Sequence, residues 1–130
     1  DLAGAEPLAE AQGRSLRPIL TGKTPSDWRD SYFYEYFKEG NFAAPTVLAV
    51  RTRTHKLITY PGHDEWTELF DLQNDPYETK NLVSHKDLLA DLRREFDEQM
   101  REVAFRMPEG ISATGEPARK PGKKKKKTPG

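Results

Sequence analysis

Cysteine is absent from the 130 residues. Disulfides, thiol nucleophiles and thiolate metal sites are therefore excluded, and the redox compartment cannot be read from the chain. No stretch approaches the about 18 consecutive apolar residues of a membrane-spanning helix. The opening Asp1-Leu2-Ala3-Gly4 has no basic region, apolar run or cleavage site, so no secretory signal is visible in these residues. Gly40 and Gly62 stand alone, and no phosphate-cradling glycine loop is formed. The three histidines, His55, His63 and His85, are scattered, and none has helical metal-ligand spacing. No serine lies in a nucleophile-elbow context. The chain thus offers no self-contained catalytic motif.

What is present is one small domain's worth of polar sequence. Charged residues make up 32% and apolar ones 35%, with a mean hydropathy of −0.88, which limits the core to a modest size. The net charge of zero is unevenly divided. From Ile111 onward there are seven basic residues and one acid, Glu116, so an acidic body carries a basic tail. That tail ends in Lys123 to Lys127 and cannot bury enough apolar surface to order itself. Five lysines can bind a polyanion by counterion release, but no recognition fold accompanies them, so specific nucleic-acid binding is not expected.

The patterning predicts an α+β fold. A short helix is expected at Ser15 to Leu20, with Ser15 as N-cap, Pro18 in the first turn and Gly22 beyond the end. Four β-type runs follow, at Ser31 to Phe37, Val47 to Thr52, Lys56 to Tyr60 and Glu65 to Leu72. In the first, Tyr32, Tyr34 and Tyr36 share one face and Phe33, Glu35 and Phe37 the other. Short connections, including the Pro61-Gly62-His63-Asp64 turn, make the four an antiparallel meander. Asn74-Asp75-Pro76 ends the sheet region with turn chemistry. Ser84 is the expected N-cap, with Asp87 three residues later, of a helix whose apolar stripe is Leu88, Leu89, Leu92, Phe96, Met100 and Val103. The helix covers one face of the sheet. Asp64, Glu65 and Glu68 cluster at a turn, where they read as a solvated surface or as acceptors for a cation or sugar hydroxyl. Tyr32, Tyr36 and Trp66 offer a stacking surface, which leaves a stand-alone carbohydrate-binding or interaction module as the alternative reading.

Five ordered strings narrow this. Gln12-Gly13-Arg14-Ser15-Leu16-Arg17-Pro18-Ile19-Leu20-Thr21-Gly22 resembles the QGRSL-x-P-x-L-x-G segment of sulfatases, and Asp1-Leu2-Ala3-Gly4 the DLAG just before it. Trp28-Arg29-Asp30 with Tyr34-Glu35-Tyr36 resembles WRD…YEY, and Val50-Arg51-Thr52 with Lys56-Leu57-Ile58 resembles VRT-x-x-x-KLI. Glu68 to Glu78 with Asn81-Leu82 resembles ELYDL-x-NDP-x-E-x-x-NL. Together they cover residues 1 to 103 and resemble the C-terminal subdomain of an alkaline-phosphatase-like sulfatase of the N-sulfoglucosamine, iduronate or arylsulfatase type.

The resemblance implies a segment from the catalytic domain at 1–30, the C-terminal subdomain at 31–107 and a disordered Lys-rich tail at 108–130. It implies that the sequence begins inside a longer fold, with the sulfatase catalytic domain as partner and a sulfated carbohydrate as ligand. A periplasmic or secreted setting goes with it, and neither a membrane nor a specific nucleic acid is implied. Formylglycine and calcium are expected in the N-terminal domain and no cofactor in this chain, because Ser15-Leu16-Arg17-Pro18 does not fit the C/S-x-P/A-x-R pattern. Thr46, His63, Asp64 and Glu65 are the expected cleft residues, on the loops Lys38 to Pro45 and Pro61 to Glu65 and beside them. Arg51, Asp71, Asn74 and Asp75 are expected to be structural, with Arg51 needing an acid such as Glu35 or Asp71 if buried.

Overall fold

The structure, a computed structural model, describes residues 4, 5, 9, 11, 13–38, 44–109 and 111. Its elements run α1 (Arg17–Leu20), β1 (Ser31–Tyr36), β2 (Val47–Thr52), β3 (His55–Thr59), a 3₁₀ turn (Asp64–Trp66), β4 (Glu68–Asp71) and α2 (Lys86–Glu102). The strands form one antiparallel sheet in the order β1-β2-β3-β4. This is the expected α+β meander with a C-terminal helix. Residues 39–43, Gln12 and the Lys123 to Lys127 run lie outside the described residues.

The strand register explains the core. Phe33, Val50, Leu57 and Leu69 are successive cross-strand partners and so share the face that α2 covers. Val50, Leu57 and Leu69 are 0% exposed and join Leu92 of α2, with Leu82, Leu88, Leu89 and Phe96 packed around them. Burying one such leucine is worth about 1.5–3 kcal/mol. Ser31, at the start of β1, donates its hydroxyl to Glu95 of α2 and ties the edge strand to the helix. Phe33 meets Phe96 and Phe105 edge-on at 5.5 and 5.1 Å, which closes the other end of the helix contact.

The opposite face carries Tyr32, Arg51, Lys56 and Phe70 in one row and Tyr34, Ala49, Ile58 and Glu68 in the next. Tyr32 and Tyr34 are 43% and 50% exposed there. Phe70 is nevertheless buried, because Lys56 lies over its ring at 5.7 Å and pairs with Glu78.

Several boundaries differ from the sequence expectation. Trp66 is not in a strand. The 3₁₀ turn sends the amides of Trp66 and Thr67 to the carbonyls of His63 (3.0 Å) and Asp64 (3.2 Å), which uses donors a ladder would need, so β4 starts only at Glu68. The second helix starts at Lys86 with His85 as N-cap and no side-chain cap. Ser84 does not cap it, because a turn from the His85 amide to the Leu82 carbonyl (2.9 Å) carries the chain past Ser84 first. Ser15 is also displaced: Leu16 is the N-cap of α1, although the Ser15 hydroxyl accepts from the Arg17 amide at 3.2 Å. The C-terminus of α2 is closed by a left-handed residue, Ala104 (φ 50°). The Ala104 amide donates to Arg101 and the Phe105 amide to Met100, the paired bonds of a Schellman motif.

Candidate functional site at the β3–β4 end of the sheet

The pairing of Leu48 with Thr59 and of Tyr36 with Val47 puts Thr46, Tyr60 and the 61–66 turn at one end of the sheet. All four expected cleft residues therefore share that end. They differ in what they present. Thr46 is 2% exposed, and its hydroxyl accepts from the Lys38 amide at 3.0 Å. It fastens the two ends of the connection between β1 and β2 and offers no surface of its own. Asp64 and Glu65 are exposed at the start of the 3₁₀ turn. Gly62 (φ 82°) makes the reversal that places them there. The His63 ring is half-buried, with Nδ1 3.4 Å from a Glu65 carboxylate oxygen.

His63 also stacks on Trp66, with ring centroids 3.9 Å apart and planes within 5°. Tyr60 meets the same indole edge-on at 5.8 Å. Trp66 remains 46% exposed, so this end presents an aromatic surface flanked by two carboxylates. Such a surface suits a sugar, whose apolar ring face stacks and whose hydroxyls donate to carboxylates. The Tyr60 hydroxyl donates to Glu68 at 2.8 Å. Burial first, and then that bond and the nearby charge, push its pKa from 10.0 up to about 12.

The residues expected to be structural lie toward the other end or in the turn after β4. Arg51 is exposed rather than buried, so the anticipated ion pair is not needed. Glu35 and Asp71 face Leu48 and His55 across the ladder, while Arg51 faces Tyr32 and Lys56. The Asp71 carboxylate accepts from the Gln73 amide (3.0 Å), the Asn74 amide (3.0 Å) and the Asn74 side chain (2.7 Å). These bonds, the Asn74 side chain foremost, hold the Asp71 pKa below its usual 3.8. Asp75 accepts from the Thr79 hydroxyl (3.0 Å) and the Lys80 amide (2.8 Å). Two nested turns thus redirect the chain and carry Glu78 back onto Lys56.

Asn81 went unassigned in the sequence expectation. Its side-chain oxygen accepts from the Leu69 and Val83 amides, each at 3.0 Å, and its amide donates to the Thr67 carbonyl at 3.2 Å. It therefore serves as a short extra strand along β4. Asn-Leu at 81–82 was visible as a pattern, but nothing in it says which edge the side chain completes.

Among the described residues no group of three or more His, Cys, Asp or Glu could hold a metal ion. No helix among them is long and apolar enough to cross a membrane.

Residues 1–106 match the family described as N-sulphoglucosamine sulphohydrolase, C-terminal. The chain is 40% identical over 86 residues to an N-acetylglucosamine-6-O-sulfatase of Bacteroides thetaiotaomicron, an alignment that covers 63% of this chain and 15% of that protein. Among solved structures it resembles a protein in complex with its substrate D-glucosamine-2-N,6-O-disulfate, at TM-score 0.68 and 27% identity, covering 78% of this chain and 22% of the other. It also resembles a 2-O GAG sulfatase, at TM-score 0.68 and 28% identity, covering 79% and 23%. The chain thus spans less than a quarter of the length of each of these relatives.

Proposed function

Since the chain belongs to the N-sulphoglucosamine sulphohydrolase C-terminal family, we propose that it is the C-terminal part of a sulfatase, where it completes the substrate cleft and stabilises the catalytic domain. The observation that carries this reading is the match over residues 1–106 in a chain that spans 15% of its curated relative. By this reading catalysis belongs to the remainder of such an enzyme, which would carry the formylglycine precursor and the calcium ligands.

The cleft edge is the 61–66 turn. His63, Asp64 and Glu65 face the substrate there, and Thr46 acts by holding the neighbouring loop ends together. The substrate is a sulfated amino sugar, the class that two of the relatives are named for. The sheet, α2 and the nested turns after β4 form the rigid base on which that turn stands. By this reading residues 1–30 lead in from the catalytic domain, 31–107 form the subdomain and 108–130 the tail.

The test uses the intact sulfatase that carries this domain. Asp64→Asn and Glu65→Gln together raise KM for a sulfated glucosamine saccharide several-fold and leave kcat nearly unchanged, because they remove binding and not chemistry. Unchanged KM in this variant and in His63→Ala would remove the cleft role.

A further inference from the structure

The end of the sheet remote from that turn has its own chemistry. Trp28, Arg29, Asp30, Tyr32, Arg51 and Arg53 line a depression of about 320 Å³. Ser31 pairs with Thr52, which sets these residues at the Ser31 end of β1, whereas the 61–66 turn lies at the Tyr36 end. Six strand residues, about 20 Å, separate the two.

Three guanidinium groups meet one carboxylate in this depression. Arg53 is held by Asp30 at 2.6 Å. Arg29 lies over the Trp28 ring at 5.5 Å, and Arg14, itself paired with Asp27 at 2.8 Å, lies over the same ring at 5.1 Å. Arg51 projects from β2 beside its cross-strand partner Tyr32. Among the described residues neither Arg29 nor Arg51 has a carboxylate partner, although both are exposed beside paired arginines. The adjoining hollow along Trp28 also contains Asp27 and Glu102, so the excess of guanidinium groups over carboxylates lies on the Arg29–Arg51–Arg53 side.

We propose that Arg29 and Arg51, with Arg53 beside them, form a binding site for a sulfate group, an exosite that takes a second sulfate of a sulfated saccharide away from the cleft. A planar guanidinium fork matches the tetrahedral oxyanion in two parallel N–H···O bonds, and two forks converging on one depression can hold it from two sides. Stacking on Trp28 and the Asp30 pair order Arg29 and Arg53 in advance, which lowers the entropy lost on binding. That the sulfate sits on a saccharide rests on the function proposed above; the oxyanion site itself does not.

The test is an NMR titration of the 130-residue chain at physiological salt with three probes: a heparin-derived tetrasaccharide, its desulfated counterpart and sodium sulfate. The Trp28 indole and the Arg29 and Arg51 side-chain N–H signals should shift saturably with the sulfated tetrasaccharide. The desulfated one should bind about tenfold more weakly or less, and sodium sulfate should compete for the same signals. Arg29→Ala with Arg51→Ala should weaken the tetrasaccharide about tenfold or more, while alanines at Lys123 to Lys127 leave those shifts in place. Both arginines are exposed, so the amide signals of Val50 and Leu57 report that the fold is kept. Shifts confined to the lysine tail, equal binding of the desulfated probe, or full affinity in the double variant overturn the site. Sodium sulfate binding with no gain from the saccharide overturns the exosite. A chain that passes this titration, within an intact protein that cleaves no sulfate ester, refutes the proposed function and leaves the oxyanion site standing.

Discussion

Asn81→Ala should cost this domain about 2–4 kcal/mol, a large effect for a residue whose own surface is exposed. The reason is its place along β4. That strand is the sheet edge, and the Leu69 amide that Asn81 accepts belongs to a residue 0% exposed. Removing the side chain leaves that buried donor without a partner, which costs about 1–3 kcal/mol. The Val83 amide, on a half-buried residue, adds little, but the Thr67 carbonyl, on a residue 4% exposed, loses its partner too and adds about 1 kcal/mol. Asn81→Asp keeps the acceptor and loses only the donation to Thr67, so it should cost about 1 kcal/mol. Urea denaturation of the chain reads both. With a slope of about 1–3 kcal/mol/M, the midpoint should fall by about 1 M or more for the alanine variant. Amide exchange at Leu69 should accelerate in step. A midpoint shift equivalent to under about 0.5 kcal/mol, with Leu69 exchange unchanged, would refute the edge-closing role.

Ala104→Gly should stabilise the chain by about 0.5–1 kcal/mol, because Ala104 holds φ 50° at the end of α2, where glycine meets no Cβ penalty. A rise in thermal midpoint checks it. Leu57→Ala empties a fully buried site among Val50, Leu69 and Leu92 and should cost about 2–5 kcal/mol in the same urea assay. The Tyr60 phenol should ionise near pH 12, seen as the difference between phenolate absorbance titrations of the wild type and Tyr60→Phe. Its pKa is raised in the folded state, so its stabilising contribution is complete below pH 10.0 and is lost as pH rises toward about 12. A wild-type advantage over Tyr60→Phe that stays constant across that window would contradict the raised pKa.

The sheet was legible because period-two alternation and tight turns are local. Tyr32, Tyr34 and Tyr36 could be put on one face before any partner was known, and the register confirms it. The helix was legible for the same reason: Leu88, Leu89, Leu92 and Phe96 fall on one stripe and meet the sheet. What failed depended on competition for single hydrogen bonds. Ser84 is a good cap residue, yet a turn closed by the His85 amide displaces the start of the helix. Trp66 has strand propensity, yet the 3₁₀ turn takes its amide. Arg51 was expected to need an ion pair if buried, and the condition is not met, because its face of β2 is open at that position. Thr46, His63, Asp64 and Glu65 were grouped through the family resemblance alone, since their spacing does not show that the pairing of Leu48 with Thr59 brings them to one end of the sheet. Even then, Thr46 is buried and the other three are not.

The central claim is that this chain serves a sulfatase whose chemistry lies in the rest of the protein. Hydrolysis of a sulfated glucosamine saccharide should be measured for the 130-residue chain and for the intact protein that carries it. The account predicts no sulfate release by the chain and saturable release by the intact protein. Turnover by the chain alone, or an intact protein that releases none, would contradict it.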